Sequence, residues 1–166
     1  EKGAKATSVT GTASYIMDGW KLWTSGVQVM SGYQDKGNAP PGYLAAIQVQ
    51  ALTPNASLGA SDFAVLVQNL EGYRAVRLGF GTVNAIPVTV GFWVMAARAG
   101  QYSVTLYEGG GTRSCPMSFT ITAPNVYEYK TVTFPGDTSG TWSKENQASL
   151  SVLFALAVGS GQTGPA

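Results

Sequence analysis

Histidine is absent from the 166 residues, and cysteine occurs once, as Cys115. The first absence removes the commonest general base, the serine and cysteine nucleophiles that rely on an imidazole, and most transition-metal sites. The second excludes an intrachain disulfide and a cysteine-built zinc site within one chain. Charge is scarce too. Asp, Glu, Lys and Arg make up 11% of the chain, against roughly 25% in ordinary soluble domains. Ten basic residues against nine acidic ones leave a formal net charge of +1. No run carries one sign, so the footprint of a nucleic-acid binder is missing. No apolar run approaches the ~20 residues that span a bilayer, and the last one, Leu150 to Val158, is interrupted by Ser151. Membrane insertion is therefore not expected. The N-terminal Glu-Lys-Gly-Ala-Lys lacks the apolar stretch of a signal peptide.

What is present is apolar and uncharged-polar. Residues of the AVILMFWYC set make up 45%, and Thr, Ser, Asn, Gln and Gly must supply solubility. This balance is common in secreted and virion β-proteins and uncommon in enzymes of charged metabolites. The length suits one domain, residues 1–158. Residues 159–166 read as a loop or linker, and since the first residue is not Met, a longer chain is expected.

Apolar and polar residues alternate between Gly, Pro and Asn punctuation, the pattern of short strands. Strands are expected over 14–17, 20–24, 27–31, 43–52, 60–69, 88–95, 101–107, 117–122, 126–134 and 148–156. Residues 34–42 are the most loop-like segment. In 72–81, Tyr73, Val76 and Phe80 recur at three- and four-residue intervals while Arg74 and Arg77 share another face, which predicts a short helical turn. Val88 to Met95 is apolar on both faces, as expected of a strand inside a packed sheet or one carrying an oligomer surface. The fold class expected is all-β: a two-sheet antiparallel jelly-roll β-sandwich with one short helical turn.

Candidate binding residues are aromatic. Four Trp and eight Tyr exceed the need of a core this size, and exposed rings stack on the apolar faces of sugars. Trp20 and Trp23 point to opposite strand faces, making Trp23 the candidate for exposure. Tyr127 and Tyr129 share a face and would form a two-ring platform. Arg74 and Arg77 have the chemistry to grip an anionic sugar or carboxylate. Each of these residues has a structural alternative in core, interface or ion pair. The carboxylates Asp18, Asp35, Asp62, Glu71, Glu108, Glu128, Asp137 and Glu145 are better explained by turns than by a glycosidase pair. No catalytic residue and no cofactor are expected. Turn oxygens around Asp137 and Thr138 are of the type calcium takes, without its ligand spacing. Asn55-Ala-Ser57 is formally a glycosylation triplet, and Cys115 reads as a small buried strand residue. In Pro135-Gly-Asp-Thr-Ser-Gly-Thr-Trp142, Pro and Gly end a strand, Asp137 and Ser139 hold a turn, and Trp142 anchors the returning chain. This segment reads as an architectural corner.

The segments Tyr15-Ile-Met-Asp-Gly-Trp20, Glu71-Gly-Tyr73, Pro87-Val-Thr-Val-Gly-Phe-Trp-Val94 and Tyr127 to Trp142 occur in that order. Together they resemble tail-fibre and related virion proteins of tailed bacteriophages, which carry jelly rolls like carbohydrate-binding modules. The resemblance implies a module on the virion surface, an extracellular particle. It would assemble as a homo-oligomer with other virion proteins and contact host surface glycans. It implies no catalytic site, and no ligand residues carry over. Two alternatives stand beside it: a decoration or cement protein of a capsid or fibre, and an ancillary sugar-binding module of a polysaccharide-degrading enzyme.

Overall fold

A computed structural model describes residues 7–162. Among these the chain is all-β, a sandwich of antiparallel sheets with one short helical turn, the class the sequence predicts. The strands are β1 (Thr7–Val9), β2 (Ala13–Met17), β3 (Trp20–Ser25), β4 (Val29–Asp35), β5 (Ala46–Thr53), β6 (Phe63–Glu71), β7 (Val88–Val94), β8 (Gly100–Glu108), β9 (Ser114–Ile121), β10 (Glu128–Phe134) and β11 (Ala148–Val158). The helical turn is α1 (Gly72–Ala75), continued by a 3-10 turn over Val76–Leu78. The signal-peptide reading of residues 1–5 and the last residues of the expected linker lie outside the described residues.

The fold separates into two compact units. One holds the chain up to Gln68 and from Phe154 onward; the other is Asn69–Leu153. The chain passes between them twice, inside β6 and inside β11.

In the first unit, one layer has the order β1-β4-β5 and the other β2-β3-β6-β11. The period of two in the sequence decides which side chains meet. Leu22 pairs with Leu66 and Thr24 with Ala64 on the inner face, while Trp23 pairs with Val65 on the outer. The two layers close over Val9, Ile16, Leu22, Met30 and Ala64, with Ile47, Val49 and Ala157 packed around them. Each fully buried Leu or Ile contributes about 1.5–3 kcal/mol to folding. β4 starts later than the expected 27–31, because Gln28 is buried and its amide donates to the carbonyls of Ser25 and Phe63. β6 starts at Phe63 because Asp62 closes the preceding loop, accepting bonds from Gly59 N at 3.0 Å and Asn55 Nδ2 at 3.3 Å. Asn55 also accepts from Ser57 N, so the glycosylation triplet serves as loop closure.

In the second unit, β10 pairs with β7, and β11-β8-β9 forms the other sheet. Phe92 of β7 meets Phe119 of β9 edge-to-face at 5.0 Å. Val104, Leu106, Ile121, Val132, Phe134, Leu150 and Val152 are buried. β7 is therefore one of two strands rather than the middle of a broad sheet. The helical turn differs from its expected apolar face. Tyr73 and Val76 are exposed, and the buried residues of α1 are Gly72 and Ala75. The reason is steric: a Cβ at Gly72 would sit 2.6 Å from backbone atoms of Ser143 and Glu145, so only the smallest residues fit against that segment. Cys115 lies on β9 but is half-buried, not fully buried. β9 ends its sheet, and the adjacent Pro116 suits an edge strand because it has no N–H to donate.

Candidate functional site

The residues best placed to meet a ligand lie on the outer face of the β7-β10 ribbon. The antiparallel register sets Tyr129 opposite Trp93, Thr131 opposite Gly91, and Thr133 opposite Thr89. Residues two apart on a strand share a face, so these six form one strip about 14 Å long, from the 3.4 Å rise per residue. Phe92, Val90, Val132 and Phe134 point the other way, toward the β9 side.

One end of the strip is aromatic. The Trp93 and Tyr129 rings lie with centroids 5.5 Å apart and planes tilted by 57°. Trp93 is half-buried and Tyr129 is 55% exposed. Gly91 makes the arrangement possible: a Cβ there would fall 2.3 Å from the Tyr129 hydroxyl oxygen, so the phenol leans over the space that the glycine leaves. The other end is hydroxylic. Thr89 Oγ1 and Thr133 Oγ1 share a hydrogen bond of 2.8 Å, and Thr89, Thr131 and Thr133 are all exposed.

The strip is held in place by Glu128 at the start of β10. Its carboxylate accepts from Thr122 N at 2.8 Å and Ala123 N at 2.9 Å and meets Lys130 Nζ at 2.6 Å. Lys130 foremost, then the Ala123 and Thr122 amides, hold the Glu128 carboxyl down to about 2, against partial burial. In the other sheet of this unit, Glu108 closes the β8–β9 turn, accepting from Gly110 N at 2.6 Å and from Thr112 N and Oγ1 at 3.1 and 3.0 Å. Burial alone would raise the Glu108 carboxyl; the Gly110 and Thr112 bonds and the Arg113 charge outweigh it and hold it below its ordinary value.

The 135–142 corner is a separate construction, largely exposed and pinned by one buried residue, Trp142. Arg113 grips Asp137 through Nε at 2.5 Å and Nη2 at 2.9 Å, and Asp137 also accepts from Ser139 N at 2.9 Å. Arg113 first, then Ser139, keeps the Asp137 carboxyl below its ordinary range, against the opposing effect of burial. The guanidinium thus engages both carboxylate oxygens of Asp137. Ser139 works through its backbone, since its carbonyl accepts from the Trp142 indole N–H at 3.1 Å. Trp142 is buried edge-to-face against Phe80 at 4.8 Å. A cleft of about 70 Å³ beside it, lined by Ala75, Phe80, Trp142 and Lys144 among others, is far smaller than the roughly 300–1,000 Å³ of ligand pockets.

The chain matches no protein-family model, no curated protein and no solved structure.

The aromatic and arginine candidates from sequence do not form one cluster. Trp23 lies in the first unit, 42% exposed, edge-to-face on Phe63 at 5.0 Å. Tyr129 lies in the second unit on the strip. Tyr127 precedes β10 and is half-buried, outside the strand alternation that would have set it beside Tyr129. Arg74 and Arg77 are exposed on the helical turn, and Arg74 faces Glu71 at 3.6 Å, a surface pair of little energetic weight. Trp93, the ring partner of Tyr129, was not among the expected ligand residues. Its signal was present in the matching alternations Thr89-x-Gly91-x-Trp93 and Tyr129-x-Thr131-x-Thr133, but only the register joins them. Among the described residues no three His, Cys, Asp or Glu side chains converge as a metal site.

Proposed function

We propose that this chain is a non-enzymatic surface module of a virion, of tail-fibre type, that attaches to host-surface glycans through weak contacts repeated over several copies. The observation that carries the reading is the Trp93–Tyr129 ring pair with its threonine ledge. A pyranose presents a C–H face that packs on such rings and hydroxyls that exchange hydrogen bonds with threonine. An open strip of this kind buries little of its ligand, so single-site affinity is low and useful binding comes from avidity. The placement on a virion rests on the ordered motifs from Tyr15 to Trp142. The carboxylates support a non-enzymatic role: Asp62, Glu108, Glu128 and Asp137 are engaged in closing turns.

A glycan array with the full chain, repeated with Tyr129→Ala, tests the proposal. Binding that the substitution abolishes while the thermal midpoint stays put is the expected result. No glycan signal on the array, together with no adsorption to host cells, overturns it. A reading as a decoration or cement protein is favoured by a different feature, the outer face of the first unit, where Trp23 and Tyr15 are exposed.

A further inference from the structure

We propose that the Trp93–Tyr129 strip admits an uncharged sugar at the free, non-reducing end of a glycan chain and turns acidic sugars away. The inference rests on the attachment reading above and concerns which glycans that same site selects. All six residues of the strip are uncharged: Thr89, Gly91 and Trp93 on β7, and Tyr129, Thr131 and Thr133 on β10. The ionised residues of β10, Glu128 and Lys130, alternate onto the opposite face and hold each other at 2.6 Å. A carboxylate or sulfate laid on the strip therefore loses water without gaining a counter-charge, which costs far more than desolvating a neutral hydroxyl. The rings add to the discrimination, because an aromatic face carries the negative part of the ring quadrupole and repels an anion.

The preference for a chain end follows from the ring geometry. Flat stacking along an extended chain needs rings in one plane, whereas the Trp93 and Tyr129 planes tilt by 57° with centroids only 5.5 Å apart. The Tyr129 phenol reaches diagonally across the ribbon, its hydroxyl close to where a Cβ of Gly91 would stand. A pyranose resting on the tyrosine ring is as wide as the ring-to-ring spacing, so the tilted indole stands at its edge. That side is closed. The open direction runs over exposed Thr131 to the Thr89–Thr133 pair, whose hydroxyls share one hydrogen bond of 2.8 Å. One of the two protons is used in that bond, which leaves the pair one O–H donor and several accepting lone pairs. Sugar hydroxyls, which donate and accept, match this ledge. A sugar inside a chain is substituted on two sides and drives one linkage toward Trp93; a terminal sugar is substituted on one.

The test is a titration of the full chain, followed by NMR, with two series of oligosaccharides of increasing length. One series is neutral gluco-, galacto- and manno-oligosaccharides; the other is the same chains with the non-reducing terminal unit oxidised at C6 to the uronic acid. The wild-type chain should bind a neutral series and hold its acidic counterpart roughly tenfold more weakly. Affinity per molecule should level off once the strip is filled, because a linear chain has one such end at any length. A site for internal units gains instead with every register that a longer chain offers. Thr131→Lys, at an exposed position of the strip, should bring the acidic series level with the neutral one or above it. The ratio of the two affinities is the readout, so a general loss of fold does not imitate the effect. Acidic chains bound as tightly as neutral ones by the wild type, or affinity that keeps climbing with length, overturn the inference and leave glycan attachment standing. So does a Thr131→Lys variant with an unchanged ratio. Binding to neither series also overturns it, whereas a blank array with no adsorption to host cells overturns the attachment reading itself.

Discussion

Replacing Trp142 by Ala should weaken the fold by about 3 kcal/mol, at the lower end of the range for truncating a buried Trp. The side chain is 9% exposed. Its edge-to-face pair with Phe80 at 4.8 Å is of the kind worth about 0.5–1.5 kcal/mol. The indole bond to the Ser139 carbonyl contributes a net amount of about the same size. Loss of the buried ring area supplies the rest. Two features keep the cost from the upper end. The adjoining cleft is open, so water enters part of the space the ring leaves, and Ser139 is exposed, so its carbonyl is resolvated rather than orphaned. Asp137→Asn keeps the side-chain shape but breaks the charge pairing with Arg113. With side-chain exposures of 39% and 25% in that pair, the loss should be smaller, about 1 kcal/mol. Urea unfolding of both variants measures the difference at constant slope. A Trp142→Ala cost below about 1 kcal/mol, under the ordinary spread of point mutations, would refute the pinning argument. A variant that folds with wild-type stability but no longer adsorbs to cells would make the corner a binding site instead of architecture.

Three further expectations concern other parts of the fold. The folded-state carboxyl of Glu128 ionises near 2 against an ordinary 4.5, and Glu108 and Asp137 are also lowered. Their stabilisation is therefore present above their ordinary values and is lost as pH falls toward about 2. The thermal midpoint should fall through that window, and Glu128→Gln should flatten the fall; an unchanged pH profile in the variant would refute the assignment. Gly72→Ala should destabilise the second unit by about 1–3 kcal/mol, since the new methyl meets backbone that cannot swing aside; thermal unfolding indistinguishable from wild type would show that the segment yields. Gly91→Ala should displace only the Tyr129 ring, the free end of a side chain, lowering glycan-array signal at nearly unchanged stability. Retained binding in that variant would remove the strip from the site.

Much of the fold was legible because it is locally encoded. The alternation expected over 88–95 and 126–134, and the Gly, Pro and Asp that end each run, act within a few residues, and strands form there as Val88–Val94 and Glu128–Phe134, the second starting two residues late. β1 was not legible: three residues of alternation carry no signal, and Thr7–Val9 is a strand because β4 supplies its hydrogen bonds. Tyr73 and Val76 misled for the converse reason. Their helical spacing is real, but the close approach of the 143–145 backbone buries Gly72 instead.

By itself the sequence determined the class of object: all-β, nearly uncharged, without imidazole chemistry, and with its glycines and prolines fixing where strands stop. Only the tertiary structure decided which side chains meet. Trp93 joins Tyr129 across a 36-residue separation, and Arg113 reaches Asp137 across 24. It also decided that β5 ends a sheet while β11 lies within one. Strand propensity acts along the chain over two to four residues. Register and sheet order are settled between distant segments, where the burial of one face is the only force that selects among alternatives.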